Sequence, residues 1–140
     1  MAVDIKILES LDLFADLGSE SLARFADCMN RVKVTEGEKL TQMGNFASDF
    51  FVILEGNFMI YFENDRALTL HERGEVMGWS TLTTPFQYVG TVVALSKGET
   101  LTLAGSDFLD IIRQDASVGD NIMKKLNKTI SKRTAILRMA

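Results

Sequence analysis

The residues best suited to chemistry lie in one stretch, RGEVMGWSTLTTPFQYVGTVVAL, from Arg73 to Leu95. Gly74 and Gly78 bracket a short apolar run, and Gly78 leads into Trp79-Ser80-Thr81-Leu82. That tetrapeptide reads as a single helical turn with hydroxyl residues near its start. Unpaired backbone N–H groups in such a turn favour an anion. Ser80, Thr81, Thr83 and Thr84 add hydroxyls that could hydrogen-bond a ligand, although Ser and Thr are also ordinary turn residues. The stretch lacks the cations that would make it a strong phosphate site.

Other chemistries have less support. A metal centre needs two or three His or carboxylates converging on one point. His71 is the sole histidine. No Ser-His-Asp, Cys-His or paired-carboxylate arrangement stands out. Cys28 falls in an amphipathic helical pattern and reads as a small core residue rather than a nucleophile. No metal is expected, and no catalysis.

The elements that must position the glycine turn can be read from period and punctuation. Val3 to Leu11 predicts a short helix. Ser19 to Asn30 predicts another, capped by Ser19 or Ser21, with Leu22, Phe25, Ala26 and Met29 on one face. Short β-branched or aromatic runs follow at 31–35, 39–42, 49–55, 57–63, 67–71, 88–96 and 100–104. Such spacing predicts an antiparallel barrel or sandwich. Asn64-Asp65 marks a hairpin between two of these strands. The period then changes: Ser106 to Arg113 predicts a short helix after a Ser cap, and Ser117 to Met139 a long one. Val118, Ile122, Leu126, Ile130 and Leu137 form a stripe on the long helix, with Arg133 falling on it. That stripe can pack on its own barrel or on a partner helix.

Size and charge set the frame. A chain of 140 residues is one domain by length and can bury enough surface to fold without disulfides. Its single cysteine cannot form an internal disulfide, which suits a reducing, cytoplasmic setting. The N-terminus has no signal-peptide pattern, and no apolar run is long enough to span a membrane. Residues 1–123 carry nine Lys/Arg against nineteen Asp/Glu, whereas residues 124–140 carry six Lys/Arg and no acid. The basic end is read as a helix C-terminus favoured by its dipole. A contact with an acidic partner is the sharper reading; nucleic acid is weaker, because no aromatics interleave the cations.

The order and spacing of these features resemble the cyclic-nucleotide-binding domain of the catabolite activator protein type. The carrying segments are LFADLGSESLARFA, then Glu36-Gly37-Glu38 to Gly44, then DFFVILEGNFMIYF, GEVMGWSTL and GTVVAL. The resemblance covers about residues 7–139. It implies a mainly β fold with flanking helices: an eight-stranded antiparallel β-roll of jelly-roll type. Residues 1–30 would form N-terminal helices, 31–104 the roll, and 105–140 the C-terminal helices of a single domain spanning 1–140. The family's phosphate cassette reads Gly-Glu-x-Ala-Leu, followed about ten residues on by Arg-x-Ala-Thr. Its Glu binds the ribose 2′-hydroxyl and its Arg pairs with the cyclic phosphate. A register starting at Gly74-Glu75 leaves too long a gap, so the cassette is placed at Gly78-Trp79-Ser80-Thr81-Leu82. Trp79 then stands for the Glu, and Tyr88-Val89-Gly90-Thr91 for Arg-x-Ala-Thr. Trp79 cannot accept a hydrogen bond from a hydroxyl, and Tyr88 offers one neutral donor in place of a charged pair. Either the two aromatics fill the pocket or they line a site for another ligand by stacking and hydrogen bonding. Counting along the final helix puts Arg133 and Thr134 where the family contacts the base; a solvent-facing or interhelical pair is the plainer reading.

Two functions follow as expectations. One is a non-catalytic regulatory domain that senses a small ligand, cyclic AMP, cyclic GMP or another molecule, and responds through its last helix. The other is a module without ligand that acts by dimerising or by protein interaction. No cofactor beyond such a ligand is called for. The resemblance also implies a homodimer through the final helix. In the family's transcription factors a helix-turn-helix domain follows that helix; this sequence ends at Ala140, and direct DNA binding by it is not expected.

Overall fold

The computed structural model of the chain describes residues 3–63, 65–82 and 85–138, with side chains in the last helix described to residue 134. Two short helices open it, α1 (Ile5–Glu9) and α2 (Ser19–Cys28). Eight strands follow: β1 (Met29–Val34), β2 (Lys39–Thr41), β3 (Asp49–Glu55), β4 (Phe58–Phe62), β5 (Ala67–Leu70), β6 (Val76–Met77), β7 (Gly90–Ala94) and β8 (Gly98–Ala104). A single 3-10 turn, Trp79–Leu82, separates β6 from β7. Helices α3 (Gly105–Gln114) and α4 (Ala116–Arg138) close the chain. The strands form two four-stranded antiparallel sheets, ordered β1-β8-β3-β6 and β2-β7-β4-β5. This is the expected β-roll with flanking helices.

Strand β3 shows how the sequence builds two cores at once. DFFVILE is apolar without alternation because both of its faces are covered. Phe50, Val52 and Leu54 pack with the helices, in a cluster that includes Phe14, Phe25, Phe108 and Ile122. Phe51 and Ile53 point the other way, into the roll, beside Phe58, Ile60, Met77 and Val92. A chain of ring contacts knits the helical side, with centroids 5.1 Å apart for Phe14–Phe25, 5.6 Å for Phe25–Phe108 and 4.9 Å for Phe50–Phe108. Helix α4 lays Val118, Ile122 and Leu126 on that same cluster. Asp115 caps its start, accepting hydrogen bonds from the N–H groups of Ser117 (3.0 Å) and Val118 (3.3 Å).

The structure departs from the sequence reading at several element ends. Helix α2 takes Gly18 as its N-cap, with no side-chain cap, and Ser19 is already helical. Strand β1 starts at Met29, so Met29 and Asn30 belong to the sheet. No Ser caps α3: β8 runs straight into it through Ala104. Gly105 still donates its N–H to the Ser48 carbonyl at 2.8 Å, so the first helical residue remains tied to neighbouring backbone. Between β4 and β5, Asp65 adopts a φ of 61°; Asn64 lies outside the described residues.

The register of β2 against β7 shifts between Lys39 and Thr41. Buried Thr41 repairs the break. Its hydroxyl donates to the Gly90 carbonyl at 2.9 Å and accepts from the Val92 N–H at 3.0 Å. Thr41→Val keeps the shape and strands both backbone groups, and is expected to cost roughly 1–2 kcal/mol. A urea titration showing a lower midpoint at unchanged slope checks it.

Candidate functional site

Gly78 sits where β6 gives way to the turn, with a φ of +80°. A Cβ there would lie 2.7 Å from the Asp49 carbonyl oxygen. Only glycine fits, because the backbone is left-handed and pressed against β3. The turn closes on itself: the Thr81 N–H and hydroxyl both donate to the Gly78 carbonyl, at 3.2 and 3.0 Å. Ser80 and Thr81 are buried.

Across from the turn, Tyr88 reaches back to the start of β3. Its hydroxyl donates to the Asp49 carbonyl at 2.8 Å and accepts from the Asp49 N–H at 2.9 Å. Burial pushes the phenol above its usual pKa, against an opposing pull from the Asp49 hydrogen bond. At neutral pH this side chain is an uncharged brace. Tyr88→Phe removes both bonds inside a packed site and is expected to lower stability by roughly 1–2 kcal/mol, read as a lower midpoint in thermal or urea unfolding.

Gly78, Trp79, Ser80, Tyr88, Val89 and Gly90 come together around one narrow cavity, with Ile60 and Phe62 from β4. Its volume is about 10 Å³. That is room for about one water at most. The other sequence-predicted residues face elsewhere. Thr81 borders a separate hollow of about 490 Å³ next to Phe46 and Arg113. Leu82 packs on the helical core. The Thr91 hydroxyl accepts from the Met43 N–H at 3.0 Å. Thr134 turns back on α4, donating to the Ile130 carbonyl at 2.8 Å. Thr83 and Thr84 lie outside the described residues.

Arg133 links this turn to a second, larger space. Its guanidinium carbon lies 5.1 Å from the centre of the Trp79 ring, a cation–π contact. The residue is only 5% exposed, and neither buried terminal nitrogen has a hydrogen-bond partner among the described residues. Burial lowers its pKa to about 10, against an opposing effect of the Glu75 charge. Glu75 does not reach it as an ion pair among the described residues. One Glu75 carboxylate oxygen instead accepts from the N–H groups of His71 (3.1 Å) and Glu72 (3.0 Å), holding the turn between β5 and β6.

The second space is a cleft of about 450 Å³ between that turn and α4. Leu13, Leu68, Leu70, Val76 and Leu126 give it apolar walls. Four cations line it, Arg73, Lys125, Lys132 and Arg133, against two carboxylates, Asp12 and Glu75. Lys125 is committed to an ion pair with Asp16 at 2.9 Å and to the Asp12 carbonyl. Arg73 donates to the Ser10 hydroxyl at 3.3 Å. Apart from Arg133, this lining was missed by sequence reasoning. The available signal was an arginine lying on an otherwise apolar helix stripe.

Among the described residues no group of three His, Cys, Asp or Glu could hold a metal ion. No helix among them is long and apolar enough to cross a membrane. Burial raises the Cys28 thiol above its usual pKa, with the Asp107 charge adding to the effect, so the thiol is a poor nucleophile.

A two-sheet roll of this topology, with flanking helices and a glycine turn between β6 and β7, defines a class of domain. The cyclic nucleotide-binding domain family matches residues 31–115, and the chain belongs to it. Solved structures agree on the fold. A candidate cyclic nucleotide-binding protein of Geobacter metallireducens GS-15 superposes with a TM-score of 0.85 at 17% identity, covering 94% of this chain and 98% of that one. The sensor domain of the transcriptional regulator DNR from Pseudomonas aeruginosa gives 0.77 at 19%, covering 93% and 95%. The regulatory subunit of a cAMP-independent protein kinase A from Trypanosoma brucei gives 0.75 at 19%, covering 89% of this chain and 43% of that one. At these identities the likeness establishes the fold alone. No curated protein matches the chain.

Proposed function

We propose that this chain is a non-catalytic ligand-sensing domain whose ligand lies in the cleft under α4, and that α4 carries the response. One observation supports this above the others. Arg133, on α4, touches the cassette turn through Trp79 and lines the cleft, and its buried terminal nitrogens have no hydrogen-bond partner among the described residues. A ligand that engages Arg133 would therefore act on the final helix and the glycine turn together. In this reading Trp79 and Tyr88 close the family's phosphate site, which the narrow cavity beside them supports. The Trypanosoma brucei neighbour is itself described as cAMP-independent, a precedent for regulation on this fold without that nucleotide.

The test combines calorimetry with hydrogen exchange. Cyclic AMP and cyclic GMP are expected to give no heat at millimolar concentration. A small molecule found by thermal-shift screening is expected to slow amide exchange along 116–138 and in the turn 71–76. Bound molecules that protect only 78–82 and 88–91 would refute the location, and unchanged exchange in α4 would refute the response.

The narrow cavity also favours a second reading, a domain without ligand that works by pairing with another copy or another protein through α4. Sedimentation showing a dimer that α4 surface charges disrupt, with no ligand in the screen, would favour it.

A further inference from the structure

We infer that the cleft between the β5–β6 turn and α4 binds a small molecule with an anionic head, carboxylate or phosphate, on an apolar body. This rests on the reading that the cleft is the ligand site, and it names the ligand's chemistry. Arg133 carries the argument. A guanidinium on a residue only 5% exposed, with both terminal nitrogens unpaired among the described residues, is costly unless something supplies an acceptor. Glu75 is tied to the backbone of its own turn, and Lys125 already holds Asp16. Among the described residues Arg133 is thus left with the Trp79 ring and no hydrogen-bond acceptor, on a side chain that lines an open space with Lys132 and Arg73. A planar fork of N–H donors matches a carboxylate or phosphate bidentately. Leucines and Val76 form the remaining wall, which suits an apolar or aromatic body, and about 450 Å³ is within the range of small-ligand sites. The polarity is the point: the anion is held from the helix side, away from the glycine turn at Gly78.

Matched pairs of probes test it. The labelled protein is titrated with 5′-AMP and adenosine, and with hexanoate and hexan-1-ol, following amide signals by NMR. The charged member of at least one pair is expected to bind at least tenfold tighter than its neutral partner, shifting residues 68–76 and 125–133. The pair that shows the preference tells phosphate from carboxylate. Arg133→Met is expected to erase the preference without weakening the neutral probe, and Arg133→Lys to keep part of it. Equal binding of charged and neutral probes would overturn the anionic head while leaving the cleft as a ligand site. Charged probes that shift 78–82 and 88–91 instead would overturn both the head-group assignment and the cleft. No binding by any probe would overturn the assignment for both head groups, and the exchange experiment on α4 would still decide the sensing reading.

Discussion

Arg133→Met is expected to make the unliganded protein more stable, by roughly 2–4 kcal/mol. Replacing buried charged groups with apolar residues of similar size is often neutral or stabilising, and a buried charge left unpaired costs several kcal/mol. The long, flexible Met side chain can fill the same space against Trp79. What is lost is the cation–π contact with Trp79, worth about 0.5–2 kcal/mol, less than the relief. For a domain of this size each kcal/mol moves the unfolding midpoint by roughly 2–4 °C or somewhat more. The gain should also depend on pH, in a direction that can be worked out. Arg133 holds its proton less tightly in the folded protein, with a pKa lowered to about 10 from the ordinary guanidinium value. Between those values the unfolded chain binds more protons at this site than the folded one. Stability of the native sequence from this group therefore rises with pH through that window. The variant's advantage is full below about pH 9 and shrinks toward pH 12. A variant less stable than the native protein at neutral pH would show that Arg133 is compensated and would remove the physical basis for an anion site.

Most strands were legible because their apolar runs and the punctuation between them are local signals. DFFVILE could be bounded to the residue, since a run apolar on both faces between Ser48 and Gly56 fits a buried strand and little else. Strand β6 escaped notice as a strand because Val76 and Met77 are too few to carry a period. The caps of α2 and α3 were misplaced: the serines nearby fit the cap preference, but Gly18 and Ala104 hold the cap positions, and at α3 the Ser48 carbonyl takes the Gly105 N–H. Gly78 could be singled out from sequence, because a tight turn before hydroxyl residues is a local pattern. The cleft could not. It joins Arg73 and Glu75, in a turn set aside as the wrong cassette register, to Lys132 and Arg133 on a helix that crosses it. Sequence showed the arginine on the stripe; only the fold shows that no described residue accepts a hydrogen bond from its terminal nitrogens.

Replacing Trp79 by Glu and Tyr88 by Arg together is expected to raise affinity for cyclic AMP at least a hundredfold, from undetectable at millimolar to a measurable heat. The resemblance places a carboxylate and a guanidinium at these positions, for the ribose hydroxyl and the cyclic phosphate. Charge-assisted hydrogen bonds of this kind are worth about 1.5–3 kcal/mol each. Two of them amount to roughly 3–6 kcal/mol, or about two to four orders of magnitude in the dissociation constant. The double change also removes the Tyr88 brace to Asp49 and the indole under Arg133, so some stability is lost and the narrow cavity can widen. Each single change should achieve far less. Tyr88→Arg alone brings a long cation into a space of about 10 Å³, near the Asp49 charge but without room for the side chain, and should chiefly destabilise. Trp79→Glu alone sets a carboxylate under Arg133, where it would pair with that cation rather than with a sugar. It should therefore raise stability and weaken any anion held in the cleft. A double-mutant cycle on cyclic AMP affinity separates these effects, because the two groups act on one ligand and their gains should exceed the sum of the single changes. If the double variant folds and cyclic AMP still gives no heat, the turn at Gly78 is not a closed phosphate site, and the register that aligns Tyr88 with the family's arginine fails.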